Sequence, residues 1–160
     1  MKNINILITG YYSVGTSSII EKLIYNNFTI EILNTIGIDF RNKKDENFNY
    51  RFWIVPDKYH VFTKKYIYDY YILVFDITNR YSFEKIEEYY KYFIQRNKPF
   101  ILIGNMIDKI DERTVLYDEA YNLSKKLGIQ YYIETSALSG EGINDIFNII
   151  KIDQSIKTNL

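Results

Sequence analysis

Residues 8–17 read Ile-Thr-Gly-Tyr-Tyr-Ser-Val-Gly-Thr-Ser, and their types and spacing point to phosphate chemistry. A loop that cradles phosphates follows the pattern G-x-x-x-x-G-K-[ST]. Gly10, Gly15 and Ser17 occupy their places in it, and Thr16 stands where the lysine belongs. The first glycine lets the chain turn sharply. The second lets the backbone approach a phosphate closely and opens the next helix. Residues 13–17 can then aim successive N–H groups at one anion, in a nest at a helix N-terminus. None of that geometry needs the lysine. Ser17 supplies a hydroxyl for Mg²⁺, and Thr16 a hydroxyl without charge. Losing a charge-assisted contact costs roughly 1.5–3 kcal/mol. The same residues with no ligand would make a plain strand-to-helix turn, so the loop alone leaves both readings open.

The elements that must position this loop follow from periodicity. Asn5–Ile8 reads as a short buried strand, and Ile19, Ile20, Leu23 and Ile24 line one face of the helix after the loop. Residues 27–37 look irregular; 38–43 and 48–55 read as two strands joined by a polar turn; 57–66 look irregular again. Tyr71–Phe75, Phe100–Ile103 and Gln130–Ile133 are further strands. Between and after them, apolar residues at helical spacing mark a stripe from Phe83 to Ile94, a helix around Ala120, Leu123 and Leu127 closed by Gly128, and a last helix through Ile143, Ile146, Phe147 and Ile150. Alternating strands and helices predict an α/β domain over residues 1–160, with a mostly parallel sheet, one antiparallel edge strand and helices on both faces. Ligands in such sheets sit at the carboxyl ends of the strands.

Composition narrows the function classes. At 160 residues, 47% hydrophobic and 25% charged, the chain has the makeup of a globular domain with a proper core. Its 17 tyrosines are unusual, and with abundant Ile, Asn and Lys they match an AT-rich coding bias. Lys+Arg and Asp+Glu are both 20, which argues against a nucleic-acid surface. The absence of cysteine excludes disulfides and thiol chemistry, and a single histidine, His60, makes a histidine metal site implausible. We read His60 as an exposed loop residue. No signal peptide or membrane-length apolar run appears, and Ser155–Leu160 carry neither cysteine nor a basic cluster. The expectation is a cytoplasmic monomer with no intrinsic membrane anchor.

With these elements in order, the chain resembles the Ras superfamily of small GTPases, and its Rab branch most closely. Residues 10–40 align without a gap. Phe28 matches the aromatic that packs on the guanine edge. Asn34-Thr35-Ile36-Gly37-Ile38-Asp39-Phe40 is similar to the first switch, whose threonine binds Mg²⁺ and senses the γ-phosphate. Leu73–Asn79 with Ser82-Phe83 is similar to the fourth strand and its exit. Gly104-Asn105-Met106-Ile107-Asp108 resembles the guanine motif NKxD, and Glu134-Thr135-Ser136-Ala137-Leu138 the motif ETSAK. The resemblance implies a Ras-like P-loop NTPase fold, with GTP or GDP and Mg²⁺ as cofactors. It implies nucleotide contacts from Gly10, Ser13, Val14, Gly15, Thr16, Ser17, Ser18, Phe28, Thr35, Asn105, Asp108, Ser136, Ala137 and Leu138. Mg²⁺ would fall to Ser17, Thr35 and Asp57, and effector or regulator proteins to residues 30–70.

The base chemistry can be argued directly. Guanine presents N1–H and N2–H₂ as adjacent donors, and an ionised Asp108 can accept both. Adenine would leave that carboxylate unpaired and be rejected. Asn105 can bond the base and tie the loops together.

The departures from the family pattern matter as much. Three of its lysines are replaced, by Thr16, Met106 and Leu138. After the third strand the family reads D-T-A-G-Q-E, and this chain reads Val55-Pro56-Asp57-Lys58-Tyr59-His60-Val61-Phe62. One alignment places Asp57 at the family aspartate; another aligns Trp53 with a family tryptophan and leaves no aspartate. Either way the sensing glycine and the water-orienting glutamine are gone, and no catalytic residue is assigned. Two classes follow: a guanine-nucleotide switch with weak or absent hydrolysis, or a pseudo-GTPase that serves as a fixed interaction surface. The guanine-selecting aspartate favours the first.

Overall fold

Alternating apolar residues build the centre of one sheet. A computed structural model describes residues 1–29 and 37–158. Along β1 (Lys2–Gly10), Ile4, Ile6 and Ile8 enter one core and Leu7 the other. β4 (Tyr70–Asp76) and β5 (Phe100–Asn105) repeat the pattern. Ile72, Val74, Ile101 and Ile103 join the first core, and Tyr71, Leu73, Phe75 and Leu102 the second. Strands apolar on both faces are what a parallel sheet covered on both sides requires.

The six strands run in the order β2-β3-β1-β4-β5-β6, where β2 is Asp39–Lys44, β3 is Phe48–Pro56 and β6 is Tyr131–Thr135. Every pairing is parallel except β2 with β3, which forms the antiparallel edge. Helices α1 (Thr16–Tyr25) and α6 (Ile143–Thr158) cover the first face. The second is covered by α3 (Arg80–Glu84), α4 (Ile86–Phe93) and α5 (Tyr117–Leu127), after a short α2 (His60–Thr63). This is the Ras-like architecture. Gly128 closes α5 with a left-handed φ of 73°, its N–H bonded to the last-turn carbonyls.

Two expectations need correction. The stripe from Phe83 to Ile94 is not one helix. It divides at Lys85, whose N–H reaches the carbonyls of both Tyr81 and Phe83, and ends in a 3₁₀ turn at Ile94–Arg96 that leaves Ile94 exposed. Residues 57–66 are not wholly irregular. Pro56 ends β3, a 3₁₀ turn spans Asp57–Tyr59, and α2 follows, because aromatic packing against α4 supplies the burial that local propensity does not.

The register fixes where a site can form. Gly10 pairs with Pro56 on one side and Val74 on the other, and Asn105 pairs with Asp76 and Thr135. The chain therefore leaves β1, β3, β5 and β6 at one edge, the carboxyl ends of the parallel strands.

Candidate functional site

Glycine is required at both ends of the loop that follows β1. A Cβ on Gly10 would stand 2.3 Å from the Val74 carbonyl oxygen, so no other residue lets the chain leave between β3 and β4. Gly15 has φ of 93°, and a Cβ there would stand 2.5 Å from Nδ2 of Asn105. Ser13 is also left-handed, at φ of 58°. Left-handed φ at Ser13 and Gly15, just before the N-terminus of α1, is backbone geometry of the kind that lets successive N–H groups face one anion.

This loop forms one wall of a cavity of about 630 Å³, within the range of roughly 300–1,000 Å³ usual for small-molecule sites. Gly10, Ser13, Val14, Gly15, Thr16, Ser17 and Ser18 all line it, and Asp57 and Lys58 close the adjacent side. Phe28, Asn105, Met106, Asp108, Lys109, Ala137 and Leu138 line the other end. The cavity thus gathers residues spread from 10 to 138. Thr35, expected to bind nucleotide and Mg²⁺, lies outside the described residues.

The far end is held by hydrogen bonds between loops. Asn105 is buried; its Nδ2 donates to the Val14 carbonyl at 2.9 Å, and its Oδ1 accepts from Thr135 Oγ1 at 2.9 Å. One side chain at the end of β5 so links the loop after β1 to the end of β6. Ser136 does not reach the cavity wall. It is buried behind it, where its Oγ donates to Asp108 Oδ1 at 2.7 Å and accepts from the Ser139 N–H at 3.0 Å, so that it orients the carboxylate. Met106, left-handed at φ of 70°, brings its Cε to 3.7 Å from the space beside Gly15. Its terminal methyl thus packs beside the glycine loop, at the position where the family pattern has a lysine. Leu138 is exposed. The β6 exit is braced by a bidentate Arg113–Glu134 pair at 2.8 and 2.7 Å, with Tyr132 donating to the same carboxylate.

The near end has been rebuilt. Asp57 stands in the cavity wall and accepts a hydrogen bond from Tyr89 Oη at 2.6 Å. Ile54, next to Trp53, is buried in the core. Burial first, and the bond to Asp57 second, push the Tyr89 phenol well above its usual range. With Ser17 and Asp57 the wall offers hydroxyl and carboxylate oxygens, a donor set that fits Mg²⁺.

His60 is not the exposed loop residue expected. It is buried between Tyr89 and Phe93, with ring centroids 4.7 and 5.6 Å away, and its Nε2 lies 2.6 Å from Thr9 Oγ1. The Thr9 hydroxyl donates to the Val55 carbonyl at 2.6 Å. With that proton committed, the imidazole is the donor to Thr9, and Nε2 carries the hydrogen. Burial lowers the His60 pKa, opposed by the charges of Asp57 and Glu88. Sequence reasoning missed this bond, as it missed Tyr89, Lys58 and Lys109. The one available signal was Thr9, a polar residue at the end of an apolar strand.

Residues 5–156 match the Ras family. The chain is 29% identical to the Ras-related protein Rab-4 of Dictyostelium discoideum, over 98% of this chain and 80% of that protein. It is 30% identical to the Ras-related protein Rab-3 of Caenorhabditis elegans, over 89% of this chain and 69% of that protein. It is 32% identical to the GTP-binding protein Rheb homolog of Drosophila melanogaster, over 94% of this chain and 88% of that protein.

Proposed function

Because the chain belongs to the Ras family, in its Rab-like part, we propose that it is a guanine-nucleotide switch whose intrinsic GTP hydrolysis is weak or absent. One observation carries the reading: a single cavity brings the glycine loop, Asp57 and Asp108 together. The loop would hold the phosphates, Ser17 and Asp57 with Thr35 the Mg²⁺, and Asp108 the guanine, with Phe28, Ala137 and Leu138 around the base. The ion, when bound, would offset charge on the phosphates. Asp108, aimed by Ser136, supplies the selectivity for guanine over adenine.

Weak turnover is supported by what stands at the phosphate end. Residues 57–61 contain neither glycine nor glutamine. His60, which could in principle position a water, is turned into the core and bonded to Thr9. Phosphoryl transfer depends on positioning and charge, and this chain lacks the lysine, the sensing glycine and the glutamine. It would then cycle mainly by exchange, or with a partner supplying groups in trans. Ile38, Phe40, Tyr66 and Ile67 are exposed apolar residues within 30–70 and would form part of an effector or regulator surface. Among the described residues no helix is long and apolar enough to cross a membrane.

Titration calorimetry with GTP, GDP and ATP, followed by single-turnover phosphate release, tests both halves. The expected result is Mg²⁺-dependent, guanine-selective binding and release near the uncatalysed rate. Equal affinity for ATP and GTP would overturn guanine selectivity, and no affinity for either at millimolar ligand would leave the pseudo-GTPase reading, in which no nucleotide binds and which the three replaced lysines favour. Release at the rate of ordinary small GTPases would overturn the claim of weak hydrolysis.

A further inference from the structure

We propose that Lys58 replaces the missing loop lysine as the cation that holds the nucleotide's phosphates; the proposal rests on the nucleotide-binding reading above. The need is electrostatic. A nucleoside triphosphate brings several negative charges, and a backbone nest supplies only partial positive charge against them. Thr16 adds none. The cavity wall carries two cations, Lys58 and Lys109, and they stand at opposite ends. Lys109 follows Asp108 and Met106 at the base end. Lys58 follows Asp57, and the pairing of Pro56 with Gly10 brings the chain out of β3 level with the start of the glycine loop.

Other nearby cations are engaged elsewhere: Lys85, whose charge reaches Asp57, is paired with Glu88 at 2.7 Å and does not line the cavity. Residues 26–36 contain no lysine or arginine, so the segment that follows α1 cannot bring a cation over the phosphates. Lys64 lies over the Tyr92 ring at 5.6 Å and Lys65 over the Tyr66 ring at 5.3 Å, and neither lines the cavity. Lys22 packs beside Gly140. Lys58 is exposed, its nitrogen 5.1 Å from the centre of the Tyr59 ring, and among the described residues no carboxylate lies within ion-pair distance of it. An exposed ammonium held by one ring contact can swing to a phosphate at little cost, because that contact is worth little in water. Lysine serves as a point charge on a flexible stem, so a change of origin from the loop to the end of β3 keeps the function and alters only the direction of approach.

The experiment compares wild type, Lys58→Ala, Lys58→Arg, Lys109→Ala and Thr16→Lys by calorimetric titration with GTP, GDP and GMP. Lys58→Ala is expected to weaken GTP and GDP by about tenfold or more and GMP by much less, and Lys58→Arg to retain most of the affinity. Lys109→Ala should act alike on all three ligands. Thr16→Lys should tighten GTP more in the Lys58→Ala background than in wild type, because two cations serving one phosphate are not additive. Wild-type binding with unchanged GTP affinity in Lys58→Ala overturns the proposal alone, as does strict additivity of the two substitutions. A wild type that binds no guanine nucleotide overturns the nucleotide reading and this proposal together. Lys58 is exposed, and unfolding midpoints equal to wild type exclude misfolding as the cause.

Discussion

The two ends of the cavity are built on different principles. The base end is cross-linked by buried side chains: Asn105, at the end of β5, joins the loop after β1 to the end of β6, and Ser136 aims Asp108. The phosphate end is shaped by backbone, through the left-handed Ser13 and Gly15 and the close approach at Gly10. A network of paired side chains fails when one member is lost, since each buried group left unpaired costs about 1–3 kcal/mol. A backbone cradle tolerates side-chain replacement, because its N–H groups do not depend on which residue carries them. The lysine replacements spare the network at both ends, with Thr16 in the cradle and Met106 and Leu138 beside the network at the far end. Thr16, Met106 and Leu138 differ from the family pattern, and Asn105, Thr135, Ser136 and Asp108 keep it.

Breaking the network should have the largest effect. Asn105→Ala leaves the Val14 carbonyl and the Thr135 hydroxyl without their partner, at about 1–3 kcal/mol each. Urea unfolding should show a lower midpoint with an unchanged slope. A variant within about 0.5 kcal/mol of wild type would mean that the base end is no more cross-linked than the phosphate end.

Next comes selectivity. Asp108→Ala should lower the preference for GTP over ATP by about 100-fold or more, because the carboxylate is the group that adenine cannot satisfy. Competition binding measures the ratio, and a preference that survives would place the discrimination elsewhere in the wall.

The phosphate end should respond to gain rather than loss. Thr16→Lys restores a cation in an intact cradle and should tighten GTP by about tenfold or more. If affinity does not move, either Lys58 already serves that phosphate or the loop no longer cradles one, and the Lys58→Ala background separates the two.

The smallest effect concerns His60, which belongs to neither end but braces β1 behind the loop. Burial depresses its folded pKa below the ordinary 6.5, so below that pH the unfolded chain binds the extra proton more readily. The stability due to the neutral imidazole is complete above about pH 6.5 and is lost as pH falls toward the depressed value. Thermal melts from pH 7.5 to 5, on the order of the range where histidine titrates, should show wild type losing more stability than His60→Asn. Parallel curves would show that His60 keeps an ordinary pKa in the folded chain.

Much of this molecule could be read from the chain itself. Periodicity identified each strand of the sheet, because apolar residues at every position of Tyr71–Phe75 and Phe100–Ile103 admit few other arrangements. The glycine loop could be read because its spacing is a local pattern and the φ of 93° at Gly15 is a property of one position, whereas the room Gly10 must leave for Val74 is set by the fold. The guanine selection proposed for Asp108 likewise rests on the chemistry of one side chain. What only the tertiary structure decided is who stands across from whom. His60 looked like an exposed loop residue because nothing near it in sequence is its partner; Thr9 lies 51 residues away. Tyr89 reaches Asp57 across 32 residues, and α2 exists because aromatic residues of α4 cover it rather than because its own sequence favours a helix. Pairings of that kind come from the register of β1 with β3 and the packing of α4 on the sheet. Such contacts bring together residues far apart in the chain, so no local pattern encodes them.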